Sequence, residues 1–339
     1  MTRKHVSLII IIVSFCSLWS PLGAAAETPD AVTPPYGPLR LVNQQPLQLL
    51  FLQPFPDMAE AVDSKRGLIH VNVALTNTLV EQNREVTADL NLEMVRAVLD
   101  LRYGLVSGLE VGFELPILFT YGGILDPFIK GVEDLLHATR DLRGAEDAGD
   151  FSYRVERGDR RLLQGHEDAL GPGDVVLKVK VRLLREQPLL PAMSLRAAVK
   201  LPTGATSRAF GSGEIDGGFG LLLQKTWARW TFYVNADVIF PGEAFEAVDV
   251  SLQPFFSGIA AVEWHLSHRV SMVVQWRGDS RPFHDTIPIL DKRLIESLLG
   301  FNWALSRSLQ LQGGVAEDQL NSACCAADVS FFLNMTGRL

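Results

Sequence analysis

Leu109-Glu110-Val111-Gly112-Phe113-Glu114-Leu115-Pro116-Ile117 carries an apolar residue at every odd position, with Glu110, Gly112 and Glu114 between them. Successive side chains of an extended strand point to opposite faces, so one face here is greasy and the other bears two carboxylates. A soluble sandwich rarely buries two unpaired carboxylates on its inner face. A strand wetted by hydrocarbon on one side and water on the other accommodates both faces, and that is the strand of a transmembrane barrel.

The same rhythm runs outward in both directions. Before it, Ile69, Val71, Val73 and Leu75 alternate with His70, Asn72, Ala74 and Thr76, and residues 85–105 alternate in two phases, with Leu90, Leu92 and Met94 in one and Leu99, Leu101, Tyr103 and Leu105 in the other. A β-bulge near 95–98 would reconcile the two phases. After it come further alternating stretches at 174–184, 193–201, 214–224, 230–240, 252–264, 270–276, 293–305, 309–315 and 328–339. The count is about twelve strands, an even number as single-chain bacterial barrels require. The predicted fold is therefore all-β: an antiparallel up-and-down transmembrane barrel, closed so that no edge is left open.

Connection lengths give an independent check. Those around Ser107, Glu186, Trp227, Ser267 and Ser306 are short, whereas those at 80–84, 119–173, 202–213, 241–250, 279–292 and 318–327 are generally longer. The two kinds alternate strictly, which assigns the short turns and both chain ends to the periplasm. Aromatics fall near strand ends, with Tyr103, Trp230, Trp264 and Trp303 at the inner rim and Phe119, Tyr121, Phe240 and Trp276 at the outer, as interfacial girdles require. In the last strand Val329, Phe331, Leu333, Met335, Gly337 and Leu339 alternate with polar residues, and Phe332 is the exception. That strand resembles the carboxy-terminal insertion signal of outer-membrane proteins, but ends in Leu339 where an aromatic is usual.

Composition bounds the rest. Of 339 residues 47% are hydrophobic, yet after residue 26 no stretch approaches the roughly 18 apolar residues of a spanning helix. Met1-Thr2-Arg3-Lys4-His5, the apolar run 6–19 and Ala24-Ala25-Ala26 form the three regions of a secretory signal peptide, predicting domain limits of 1–26, 27–66 and 67–339 with cleavage near Ala26. A formal charge of −8 argues against nucleic acid as a partner. Cys324 and Cys325 remain after cleavage, are neighbours, and have no histidine at ligand spacing, so neither a structural disulfide nor a metal site is expected, and no cofactor is implied.

Two segments are not wall. Residues 27–66 hold Leu47-Gln48-Leu49-Leu50-Phe51-Leu52 between prolines, a string that reads as a loose periplasmic leader or as a plug packed in the barrel mouth or on its periplasmic rim. The long extracellular loop 119–173 contains Leu125, Phe128, Ile129, Val132, Leu135 and Leu136 at helical spacing behind Asp126-Pro127, predicting a short helix over 126–137, followed by a charged, irregular lobe over 140–174.

Gly37-Pro38-Leu39, Asn43-Gln44-Gln45-Pro46-Leu47, Gly122-Gly123-Ile124-Leu125-Asp126 and Lys200-Leu201-Pro202-Thr203-Gly204 together resemble domain-of-unknown-function family 3187, exported proteobacterial proteins expected to form outer-membrane barrels. The resemblance implies location and fold and carries no activity.

Assigning the polar alternate positions to the lumen gives a charge map. Asp100, Arg102, Glu110 and Glu114 come from the second and third strands, Lys178, Lys180, Arg182, Arg196 and Lys200 from the fourth and fifth, and Glu214, Asp216 and Asp237 from the sixth and seventh. Either these charges pair across neighbouring strands and fill the interior, or they set a transverse field in a narrow pore for small polar or charged solutes. The other classes are a structural or surface-interaction barrel that conducts nothing, and an outer-membrane lipid hydrolase built on Ser280, His284 and Asp285. Outer-membrane lipid and lipopolysaccharide, and the barrel-assembly machinery, are the expected partners in every case.

Overall fold

The computed structural model describes residues 35–83, 86–122, 151–243, 252–280, 282, 294–318 and 329–339. Its strands, in chain order, are β1 (Gly67–Asn83), β2 (Val86–Val106), β3 (Leu109–Tyr121), β4 (Ser152–Arg157), β5 (Arg160–Gln164), β6 (Ala169–Pro172), β7 (Val175–Leu184), β8 (Ala192–Leu201), β9 (Asp216–Trp227), β10 (Trp230–Phe240), β11 (Phe255–His265), β12 (Val270–Asp279), β13 (Leu294–Ala304), β14 (Leu309–Asp318) and β15 (Val329–Arg338). Twelve of them, β1 to β3 and β7 to β15, pair antiparallel with their chain neighbours, and the β1–β15 ladder from Leu68↔Arg338 to Asn77↔Val329 closes the ring. The barrel and its strand number are as the alternation predicts. The signal-peptide residues, the 126–137 helix and the Cys324-Cys325 pair lie outside the described residues.

The outside is apolar. Phe219, Val234, Phe256, Leu299 and Leu333 stand out from mid-wall or the loop-side rim at exposures of 44–65%, a continuous surface that water would not tolerate on this scale. Trp230 and Trp264, paired across β10 and β11, stack at 5.6 Å near the turn end, while Phe240 and Trp276 face outward toward the loop end. Tyr121 differs from the girdle expectation, being buried.

Two sequence expectations give way. The bulge at 95–98 is absent, because β1 and β2 keep one register from Gly67↔Tyr103 to Asn83↔Thr87, and the irregularity of β2 sits at Gly104/Val106 against β3. What changes at mid-strand is the surroundings. Toward the turn end the odd residues Leu99, Leu101 and Tyr103 face lipid, whereas toward the loop end the even residues Leu90, Leu92 and Met94 face an apolar interior. The strand leaves the membrane there, water replaces hydrocarbon outside, and the greasy phase moves inward without any break in the pleat.

The charged lobe is also ordered in part. Strand β4 extends the wall by pairing with β2 above the membrane (Val86↔Arg157 to Asn91↔Ser152), β5 folds back on β4, and β6 pairs with the end of β3. Tyr153, Val155 and Leu163 bury their side chains while Arg154, Arg160 and Arg161 stay out, so the charge density seen in the sequence belongs to one face of a hairpin.

Candidate functional site: the filled lumen

The interior of the barrel is occupied by residues 35–66, which enter at the turn end, climb to the loop end, and return. The ascending leg is held through its backbone by inward-facing amides. Gln275 receives the Leu39 N–H at 2.9 Å and donates to the Leu39 carbonyl at 3.1 Å, Gln312 does the same for Arg40 N–H (2.7 Å) and the Pro38 carbonyl (3.0 Å), and Asn302, Gln310 and Asn72 donate to the carbonyls of Gly37, Tyr36 and Arg40. An irregular buried backbone must find partners for every N–H and C=O, and the amides on β1, β12, β13 and β14 supply them. At the entrance Tyr36 N–H and Tyr233 OH donate to Glu263, and the Tyr36 hydroxyl donates to the His268 carbonyl. Leu39 and Leu41 fill an apolar collar that includes Ala74, Ile259, Val273, Leu298 and Phe332. Phe332, the exception to alternation in the last strand, is inward-facing because this leg is there to receive it.

The leg turns through a single 3-10 turn, Gln48–Leu50. Its apolar string Leu47, Leu50, Phe51 and Leu52 packs against Leu90, Leu92, Tyr153, Ile239 and Phe255, at the loop end and so farther in than the mouth or rim expected from sequence. Lys200 donates to the Leu50 carbonyl (2.8 Å) and Asp216 accepts the Leu52 N–H (2.7 Å). The Arg40 guanidinium lies 5.0 Å over the Phe55 ring, which couples the two legs.

The return leg meets the charged wall. Asp57 accepts from Arg102 (2.6 Å) and Lys180 (3.0 Å), Asn235 brackets its backbone, Arg196 donates to the Phe55 carbonyl (2.5 Å), Glu110 accepts the Val62 N–H (2.9 Å), and Arg182 reaches Glu60 (3.1 Å). Burial alone would raise the Asp57 carboxyl, but Arg102, Lys180 and Arg40 hold it well below the usual carboxylate range.

The sequence-predicted lumen residues therefore come together as follows. Asp100 is contacted by Arg40, by Arg102 (3.1 Å) and by Lys178 (2.7 Å); Lys178 also pairs with Glu114 (2.5 Å); Lys180 with Glu110 (3.2 Å); Arg196 with Asp237 (2.6 Å); and Lys200 with both Asp174 (2.9 Å) and Asp216 (3.3 Å). Arg182 is half-buried on the same wall. Glu214 is the correction: it precedes β9 in an exposed loop, its backbone tied to Ser212, and does not line the lumen. Alternation placed it one step too early because the strand starts only at Asp216. Sequence reasoning missed Arg40 and Asp57, which lie in the non-alternating segment before β1, and Asp174, the first residue of the alternating stretch 174–184; all three reveal themselves only through their partners.

The ion pairs that hold the return leg lie on β2, β3, β7, β8, β9 and β10, further buried charges (Glu263, Arg277, Asp279 and Glu296) stand on β11, β12 and β13, and each of three cavities touches some of the ion-paired side chains. One of about 500 Å³ opens at the turn end between the two legs and the wall and reaches Asp57, Arg102, Glu110 and Lys180. Those four also line a cavity of about 20 Å³ beside Phe55 and Lys178, which shares Glu114 and Val176 with one of about 30 Å³ under Phe210 and Lys200. Of the hydrolase candidates, Ser280 Oγ accepts the Phe256 N–H at 2.8 Å, and His284 and Asp285 lie outside the described residues.

A family model described as "Protein of unknown function (DUF3187)" matches residues 13–339. No curated protein shows significant sequence similarity to the chain. Among solved structures, the COG4313 outer membrane channel from Pseudomonas putida F1 superposes with a TM-score of 0.59 at 14% identity, over 85% of this chain and 100% of that one. The NanC porin gives 0.48 at 8% identity over 80% and 100%, and the CymD monoaromatic hydrocarbon channel 0.41 at 8% over 81% and 89%. The first of these likenesses is one of fold.

Proposed function

Because this chain belongs to the DUF3187 family, whose description assigns no activity, we propose from its own geometry that it is a narrow outer-membrane channel for passive diffusion of small polar or charged solutes, occluded by residues 27–66 acting as a lumen plug. In this reading residues 1–26 direct export and are removed near Ala26, and the mature barrel meets outer-membrane lipid, lipopolysaccharide and the assembly machinery. The observation that carries it is that the space left beside residues 35–66 is lined by ion-paired side chains: Asp57, Arg102, Glu110 and Lys180 at the turn end, Lys178 and Glu114 beside Phe55, and Asp174 and Lys200 beneath Phe210. A barrel of twelve strands lies between those filled by their own side chains and those with open water channels, so a plug is what decides whether it conducts.

Planar-bilayer recordings test this. The full chain should give small, infrequent openings, and a variant lacking residues 35–62 a markedly larger conductance. In that variant, Lys178→Glu, Arg182→Glu and Arg196→Glu together should shift ion selectivity toward cations. Unchanged selectivity would remove these residues from the conduit. The pairing of the wall's charges favours a second reading, a structural barrel that conducts nothing, and silence of both the full chain and the plug-less variant would establish it. Lipid turnover abolished by His284→Ala would revive the hydrolase.

A further inference from the structure

Three tryptophans form a row on the outside of the barrel at its turn end. The pairings Trp227↔Trp230 and Trp230↔Trp264 set them directly opposite one another across β9, β10 and β11, and all three are exposed. Beside the row the turn 185–191 is fixed in place. Lys225, which leaves β9 on the same outward face as Trp227, donates to the carbonyls of Gln187 (2.5 Å) and Pro188 (3.0 Å) and pairs with Glu186 (3.3 Å). Glu186 in turn accepts the Thr226 N–H at 2.8 Å, and Gln187 N–H donates to the Leu190 carbonyl at 3.0 Å. The turn is thus tied to the outer face of β9, and it holds Leu189 at 92% exposure near Trp227 at 75%. Large apolar side chains kept in position and left uncovered are placed for a medium that is itself apolar.

The turns that border the row are basic. Arg229 is exposed on the β9–β10 turn, between Trp227 and Trp230, and Arg269 is exposed on the β11–β12 turn beyond Trp264. Across residues 182–193, 225–231 and 263–271 the carboxylates are Glu186, which Lys225 neutralises, and Glu263, which is buried on the lumen side. A chain of net charge −8 therefore carries a positive strip here. A soluble acidic partner would account for the arginines but not for an uncovered leucine, and uncharged lipid would account for the indoles but not for the arginines. An anionic lipid accounts for both, because guanidinium groups pair with phosphate and basic groups near a membrane surface select negative headgroups. We propose that this strip binds an anionic glycerophospholipid of the inner leaflet, its phosphate against Arg229 and Arg269 and its upper acyl segments along Trp227, Trp230, Trp264 and Leu189. The inference needs the turn end to face the periplasm, as the connection lengths assign it, and is independent of whether the barrel conducts.

The test is quenching of tryptophan fluorescence by brominated lipid. With Trp19→Phe, Trp276→Phe and Trp303→Phe, the tryptophans left are those of the row. This chain is refolded into phosphatidylcholine vesicles containing either dibromo-phosphatidylglycerol or, at equal mole fraction, dibromo-phosphatidylcholine. Phosphatidylglycerol should bind beside the row about fivefold more tightly or better, and raised salt should reduce the ratio. Arg229→Gln with Arg269→Gln should bring it to about one. A companion chain that keeps Trp276, near the loop end, as its sole tryptophan should show no preference. Heat-modifiable migration on gels reports that each chain is folded, and the substituted arginines are exposed turn residues whose loss leaves the barrel intact. Equal quenching of the row by the two lipids, a preference that survives Arg229→Gln with Arg269→Gln, or an equal preference at Trp276 would each overturn the assignment.

Discussion

Gly104 shows how closely the return leg is fitted. A Cβ built there would stand 2.1 Å from the Asp63 carbonyl oxygen, and its backbone exchanges hydrogen bonds with Lys65 and Arg66. Gly104→Ala should lift this part of the leg, destabilise the fold by about 1–3 kcal/mol, and expose residues 62–66 to protease in the detergent-solubilised protein. Arg102 is the buried cation that faces Asp57, Asp100 and Glu110 together. Arg102→Met leaves those carboxylates under-compensated and should cost roughly 3–5 kcal/mol in denaturant unfolding. Because the Asp57 carboxyl is depressed in the folded state, its contribution is fully present above the unfolded value of about 3.9 and is lost only as pH falls through the lower folded value. Protease resistance of the leg should accordingly be the same at pH 5 and pH 8. The charged side chains of the wall were legible as inward-facing from alternation alone. Their partners Arg40 and Asp57 were not, because nothing local to a non-repeating leader says which strand, more than forty positions away, it will touch.

At the scale of elements, the period-2 signal was sound wherever a strand separated lipid from lumen, and it misled where one of those two solvents changed. Strand β2 crosses from hydrocarbon into water partway along its length, and its reversed phase is the signature of that crossing, which sequence alone cannot tell from a bulge. Strand β9 begins late for a related reason, since Glu214 continues the alternation by chance into a loop. The membrane-facing residues of the barrel proper can be tested directly. Leu299, in the middle of β13 and 49% exposed, should cost about 2–4 kcal/mol as Leu299→Arg in refolding into bilayers. Phe332→Ala, on the opposite face of its wall, should cost about 3–5 kcal/mol through the space opened beside Leu39 and Leu41, and should do so equally in detergent, where the lipid term is absent.

For the molecule as a whole, the wall and its filling follow one scheme: amides where the ascending backbone is docked, ion pairs beside the return leg, and apolar residues where Leu39 and Leu41 press outward. Read as sequence, those inward positions were polar and nothing more, and only the ascending and returning legs divide them into classes. Both legs pass through the same opening: Tyr36 lies against His268 beside one turn, and Lys65 against Gly104 beside another. The loop of chain is therefore inserted like a bent finger, neither threaded through the ring nor knotted to it. It can be withdrawn through that opening with every rung of the β1–β15 seam intact, so emptying the cylinder requires no unzipping of the cylinder itself.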